Sequence, residues 1–381
     1  MLVSMTGTWM QSVAQAWLVL TLTSSAIVLG VVNALNFLPS LVLSLFAGVL
    51  IDRMPKRRVL IYTQSAEALQ AFVFWFLVWK KSITLWQVYA LTLLLGIINA
   101  FDQPARQAFV SEMVADEDVT NAIGLNSLLF NAARTIGPMI AGVTIAVVGL
   151  APSFLINALS FLFVIVGFFF MRTHELRVLP VPKQGSFVED MREGFHFVIH
   201  TPLIMALLIV LFFAGIFGYN FTTVIPLLAK FAVHGGPNTL GVLSSAMGAG
   251  SMLGAFAMAR RAKPSQRILY GSAFLFGLCE VAMMVARSYF SIAILLFLMG
   301  STGIIYLVST NALLQLNSPP SMRTRVISLY VLLLVGVTPI GALFTGLLVD
   351  RIGILPTIFI EGLLSLMGVL LGRGYLLLHS H

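Results

Sequence analysis

The chain has 381 residues, of which 59% are hydrophobic and only 9% charged, with a mean hydropathy of +0.99. Ordinary soluble domains carry about 25% charged residues, so this composition excludes a soluble globule, a disordered chain and a long coiled coil. The net charge of +8 is what a nucleic-acid binder would show, but lysines and arginines gathered on the cytoplasmic loops of a membrane protein give the same balance, and no nucleic-acid partner is expected.

In chain order, apolar runs and their breaks predict twelve membrane helices, at about 1–21, 26–51, 59–79, 85–104, 120–148, 152–171, 202–229, 239–259, 267–286, 289–315, 324–349 and 354–376. The runs are long and do not alternate every second residue, which argues against a membrane β-barrel. The first span opens directly on apolar sequence with no basic flank, and it is expected to lack its natural beginning. A cleaved signal peptide is the alternative, opposed by the missing charged start and cleavage pattern. Gln11 and Gln15 share a face of this span, and Asn33 and Asn36 share a face of the second. With Asn220 in the seventh span and Asn311 in the tenth, these amides are candidate substrate-cavity groups. Interhelical hydrogen bonding is an equally good account of each.

Between the second and third spans, residues 48–58 read GVLIDRMPKRR. Gly48 permits close helix approach, and Asp52 is placed to bond basic side chains or a neighbouring helix N-terminus. Arg53, Lys56 and Arg57 are expected to face the cytosol. Farther on, ionisable side chains fall inside apolar runs, where their cost marks them for function. Glu67 in the third span and Glu280 in the ninth are candidates for proton coupling, because a bound proton removes their charge from hydrocarbon. Glu361 in the twelfth is the weaker one of this kind. Asp102 and Arg106, four residues apart, are expected to pair structurally at the cytoplasmic end of the fourth span.

Arg134 lies about 20 Å along the fifth span at 1.5 Å per residue. It reads either as a cavity group that binds an anion or relays a proton, or as a structural arginine bonded to carbonyls and amides. One turn later, within AARTIGPMIAG at 132–142, Gly137 and Gly142 allow backbones to approach and Pro138 permits a bend.

The one long connection, 172–201, separates a six-helix half at 1–171 from another at 202–381. Within it, 186–200 reads as an amphipathic surface helix with Phe187, Met191, Phe195 and Val198 on one face. Of the 22 lysines and arginines, Lys80, Lys81, Lys230, Arg287 and Arg351 fall on one side of the predicted topology and Arg134 within a helix. The remaining sixteen fall on the other side, which places both termini in the cytoplasm. The single cysteine, Cys279, stands in an apolar run, and there is no phosphate-binding loop, HExxH, GxSxG or CxxC. No enzyme activity, metal or cofactor is expected.

The 48–58 loop resembles the signature loop of the major facilitator superfamily, G-x-L-x-D-R-x-G-R-[KR], with Pro55 in place of its usual glycine. The 132–142 segment resembles that superfamily's antiporter motif, with Ala133 and Ala141 in place of two glycines. NAFDQPARQAF at 99–109 and NALLQL at 311–316, followed by MRTRV, resemble the enterobactin-exporter and macrolide-efflux branch. Pro138 and Pro339 hold matching places in the two halves, as in transporters built from repeats. GVLID-Arg at 48–53 recurs as GLLVD-Arg at 346–351, but on a non-equivalent loop.

The resemblance implies an all-α membrane protein of twelve transmembrane helices in two pseudo-symmetric six-helix halves. It implies a cytoplasmic-membrane exporter of amphipathic small molecules, of drug, macrolide or siderophore type, driven by proton antiport with alternating access. Residues 48–57 would then form a gating loop. A dedicated siderophore or anionic-metabolite exporter is one alternative, and a non-transporting scaffold or sensor is another. The expected partners are a small-molecule substrate, protons and the lipid bilayer, with the protein itself a monomer.

Overall fold

The computed structural model describes residues 2–52, 54–172, 187–261 and 264–379, and these contain helices and short connections but no strand. The first six long helices are α1 (Leu2–Leu22), α2 (Ala26–Asp52), α3 (Lys56–Trp79), α4 (Leu85–Glu112), α5 (Val119–Val148) and α6 (Ala151–Phe170). A shorter helix, α7 (Phe187–Ile199), follows. Then come α8 (Pro202–Phe213), α9 (Phe221–Leu227), α10 (Pro237–Ala259), α11 (Gln266–Ala282), α12 (Tyr289–Leu316), α13 (Pro320–Val335), α14 (Thr338–Ile352) and α15 (Ile354–His379).

Two predicted spans are not continuous. The seventh consists of α8, a π-helical turn at Ala214–Gly218, α9 and a second π-helical turn at Leu228–Ala232. In the first of these turns the Tyr219 N–H donates to the Ala214 carbonyl, five residues back, at 3.0 Å. In the second, the ring at Pro226 has already removed one ladder donor. The eleventh predicted span is α13 and α14, separated at Gly336–Val337 just before Pro339 in the first turn of α14. The fourth runs longer than expected, to Glu112, because Pro104 is accommodated within it.

Among the described residues, ten helical stretches are long and apolar enough to cross a membrane, with α8–α9 and α13–α14 each counting once. α1 and α3 stand outside that set because they carry Gln11 and Gln15, and Gln64, Glu67 and Gln70. Large apolar side chains lie bare on the surface, among them Phe170 at 85% exposure, Val147 and Phe290. Such a surface suits acyl chains, not water.

The chain divides into two compact units, Met1–Pro182 with Gly235–Ser245, and Lys183–His234 with Ala246–His381. The first turns of α10 thus cluster with the first unit. In that unit α2 packs on α4, where Gly96 lies against the Asn36 carbonyl, and α3 packs on α6, where Phe74 stacks on Phe154 at 4.9 Å. In the second unit, Ile204, Leu207, Leu211, Leu269, Tyr306 and Val326 form a buried core. Small residues set these approaches because lipid gives apolar helices no reason of their own to associate.

Candidate functional site

In the first unit, a buried polar stripe on α3 organises the interior. Thr63, Gln64, Glu67 and Gln70 fall at helical spacing and are all buried. The Gln64 Nε2 donates to Glu67 Oε2 at 2.7 Å and to Asp102 Oδ1 at 3.0 Å, and so bridges two carboxyls. Asp102 also accepts from the Thr63 hydroxyl at 2.7 Å, and from Arg106 Nε at 3.1 Å and a terminal guanidinium nitrogen at 2.5 Å. The expected Asp102–Arg106 pair is present, but its place is corrected. Because α4 continues beyond it, Asp102 lies in the interior with 1% exposure, joined to Glu67 at 4%. Gln64 Oε1 is buried with no hydrogen-bond donor among the described residues.

A second set of bonds links α1, α3, α4 and α6. Gln11 donates to Gln70 Oε1 at 3.0 Å and accepts from Asn157 at 2.8 Å, while Ser160 donates to the Asn157 carbonyl. Gln15 donates to the Thr92 hydroxyl at 2.7 Å, and Gln70 to the Leu91 carbonyl at 3.1 Å. Gln11 and Gln15 therefore bond between helices, as the alternative reading had it. Asn33 and Asn36 are half-buried, and Asn36 Oδ1 has no hydrogen-bond donor among the described residues.

On α5, a side chain at Gly137 would meet Trp9 Cβ at 2.7 Å and the Thr6 carbonyl at 2.9 Å. Gly142 faces Gly241 of α10, whose own missing side chain would meet the Pro138 carbonyl at 2.7 Å. The Ser245 hydroxyl donates to the Thr135 carbonyl at 2.8 Å. Arg134 is half-buried, with its guanidinium 5.9 Å from the centre of the Trp9 ring.

Of the 48–58 loop, Arg53 and the side chain of Asp52 lie outside what the structure describes, and Gly48 is described by its backbone alone. Lys56 Nζ stands 3.6 Å from Glu112 Oε1, and Arg57 Nε donates to the Phe168 carbonyl at 2.8 Å. The start of α3 is thereby tied to the ends of α4 and α6. Glu112 is within reach because α4 runs on past Pro104.

The second unit holds another carboxyl pair. Glu280 on α11 and Glu361 on α15 are both buried and act on each other electrostatically. The Thr345 hydroxyl donates to Glu361 Oε1 at 2.5 Å, whereas Glu280 has the Ser365 hydroxyl close by and no hydrogen bond of good geometry to Oε2 among the described residues. Gly362 makes the approach possible, since a Cβ there would lie 2.7 Å from that of Glu280. Next to this pair is the first π-helical turn: a Cβ on Gly218 would be 3.5 Å from Glu280 Oε1. Tyr219 stacks on Phe276 at 5.4 Å and donates to the Gly303 carbonyl. Asn220 sits in the break itself and donates to the Ile216 carbonyl, and its Oδ1 is buried without a donor. Asn311 instead accepts from the exposed Gln315 on its own helix at 2.6 Å.

Sequence reasoning missed Thr63, Gln64, Thr92 and Asn157. The spacing 63, 64, 67, 70 was its available signal, a polar stripe along an otherwise apolar helix. Among the described residues, no three histidine, cysteine, aspartate or glutamate side chains are grouped so as to hold a metal ion.

The chain matches the family described as transmembrane secretion effector over residues 1–379. It is 26% identical to the staphyloferrin A transporter of Staphylococcus aureus over 94% of this chain and 89% of that protein. It is 24% identical to macrolide efflux protein A of Streptococcus pyogenes, covering 87% of this chain and 83% of the other. With the multidrug efflux pump Tap of Mycolicibacterium fortuitum it shares 27% identity over 96% and 90%. Among solved structures, an inward-facing bacterial homolog of the human lysosomal transporter Spinster superposes with a TM-score of 0.72 at 13% identity, covering 99% of this chain and 95% of that one. The nucleoside transporter NupG superposes with a TM-score of 0.73 at 10% identity, covering 98% of each.

Proposed function

We propose that this chain, which belongs to the transmembrane secretion effector family of the major facilitator superfamily, exports amphipathic small molecules of drug, macrolide or siderophore type in exchange for protons. It is a transporter and a multi-pass membrane protein, not an enzyme. The exchange would run by alternating access of the two halves, in a cytoplasmic membrane, with both termini in the cytoplasm and the protein acting as a monomer.

The observation that carries the proton reading is the bonding around Glu67. Asp102 is fully supplied with donors and has Arg106 as its counter-ion. Glu67 receives one amide bond from Gln64, and the same amide presents a buried oxygen that no group donates to. A proton on Glu67 would cancel the carboxylate charge and add a donor next to the amide whose oxygen lacks one, which supports a protonated state of this site. Releasing the proton leaves two buried carboxylates beside one arginine. The halves can then favour a different packing, which is how a bound proton biases a conformational equilibrium. Glu280 offers the same chemistry in the second unit. Asp52 in the loop, with Gly137, Pro138 and Gly142 on α5, would serve as the gate and the flexible seam.

The test is macrolide efflux from proteoliposomes under an imposed pH gradient. The wild type should export faster when protons enter down their gradient. Glu67→Gln should bind the macrolide but lose that response, with Glu280→Gln as the parallel variant. Wild-type pH dependence in both single variants and in the double variant would sink the proton-exchange reading. A second reading, a dedicated exporter of an anionic metabolite or siderophore, is favoured by Arg134 held beside Trp9. Under it, Arg134→Lys should export a siderophore poorly and still export a neutral macrolide.

A further inference from the structure

A groove of about 570 Å³ runs between the start of α11 and the end of α15, within the second unit. Its polar rim is Gln266, Arg267 and Arg373, and its walls include Phe274, Val369 and Leu370. Both guanidiniums are exposed, and neither enters an ion pair among the described residues. Tyr270 lies between rim and wall. It is 8% exposed, within electrostatic reach of Arg373, and its hydroxyl is buried with no hydrogen-bond partner. The first turn of α11, with Ser265 capping it by accepting from the Ile268 N–H, adds the positive end of a helix.

Two cations and an amide at one end, and bare aromatic and aliphatic walls at the other, match a molecule with an anionic head and an apolar tail. We propose that this groove binds an anionic phospholipid, with its phosphate held by Arg267 and Arg373. The acyl chain lies along Phe274 and Leu370. Arginine suits this task because its planar fork matches phosphate oxygens, and basic pockets between transmembrane helices are where anionic headgroups settle. The bare walls separate this ligand from soluble phosphate, which gains nothing from them. Bound there, the lipid joins α11, which carries Glu280, to α15, which carries Glu361. The proposal does not rest on proton exchange, and it can be tested in a protein that transports nothing.

The experiment measures thermal unfolding of the purified chain in detergent against added phosphatidylglycerol, phosphatidylcholine or inorganic phosphate. A ligand that binds only the folded state raises the melting temperature by mass action. Phosphatidylglycerol should raise it, and the other two should not. In the Arg267→Ala/Arg373→Ala double variant the apparent affinity for phosphatidylglycerol should fall about tenfold or more, on the scale of two lost interfacial cations. Tyr270→Phe, which changes only a hydroxyl buried away from the groove, and Arg351→Ala, outside the groove, should keep the full shift. The proposal fails if the double variant keeps the full shift. It also fails if inorganic phosphate alone reproduces the shift, since the groove would then be a site for soluble anions.

Discussion

Asp102 and Glu67 are both buried carboxyls on the same network, yet their bonding predicts opposite phenotypes. Asp102 is the ionised partner of Arg106 and accepts four hydrogen bonds. Replacing it with Asn leaves a half-buried guanidinium without its charge partner, a change that typically costs about 3–5 kcal/mol. Asp102→Asn should therefore lower the melting temperature in detergent and the membrane yield sharply. Glu67→Gln keeps the shape and an amide for Gln64 to bond, so it should unfold close to wild type while losing pH response. If Asp102→Asn unfolds like the wild type, the network is not holding the unit together. The acids and the Asp102–Arg106 pair were visible in the sequence, whereas the amide that bridges Asp102 to Glu67 was not. That network depends on Gln64 and Thr63 reaching across from α3, and that is a matter of helix rotation.

At the scale of elements, the two broken spans carry the most information. A continuous helix through 202–229 is what hydropathy predicts, since the run is apolar throughout. The break at Gly218–Asn220 exists because neighbours press on it: Gly215 lies against the Leu333 carbonyl, and Gly341 of α14 faces the Ile216 carbonyl and the Asn220 amide. A methyl group at Gly341 has no flexible side-chain end to displace, only backbone and a bonded amide. Gly341→Ala should reduce folded yield or transport severely. Gly167→Ala, on an exposed face of α6 with nothing within 4 Å, should be neutral or stabilising by up to about 1 kcal/mol. Equal behaviour of the two variants in a folding assay would mean that the break tolerates movement. Pro226 and Pro339 lie in these interrupted spans, but Pro39, Pro104 and Pro138 lie inside continuous helices. A proline alone does not tell a break from an accommodated ring.

For the whole molecule, the sixteen basic residues on one side against five on the other predict which ends face the cytoplasm. In a Cys279→Ser background, Ser82→Cys in the exposed α3–α4 hairpin should react with an impermeant thiol reagent added outside intact cells. Arg192→Cys on exposed α7 should be shielded until the membrane is opened. The reverse pattern would invert the topology. The amphipathic segment 186–200 appears as α7, and its anchoring contact is the Glu193–Arg325 ion pair at 2.5 Å to α13. That bond ties the connection to the second unit, in which the chain from Lys183 is found.

Sequence alone determined the class of this protein, its helices and the family it belongs to. Apolar length sets spans one at a time, and the 48–58 and 132–142 motifs need no neighbours to be read. The buried amides, the Glu67–Gln64–Asp102 bridge, the pairing of Glu280 with Glu361 and the groove between α11 and α15 were decided only by tertiary structure. The bonds between helices among these amides and in the bridge join residues from 21 to 146 positions apart, and a polar side chain in an apolar run looks the same whether it meets a partner, a ligand or lipid. In a bilayer the hydrophobic effect fixes insertion but not which helix face meets which. That choice is made by close packing at small residues and by hydrogen bonds, which exist only once the helices are in place.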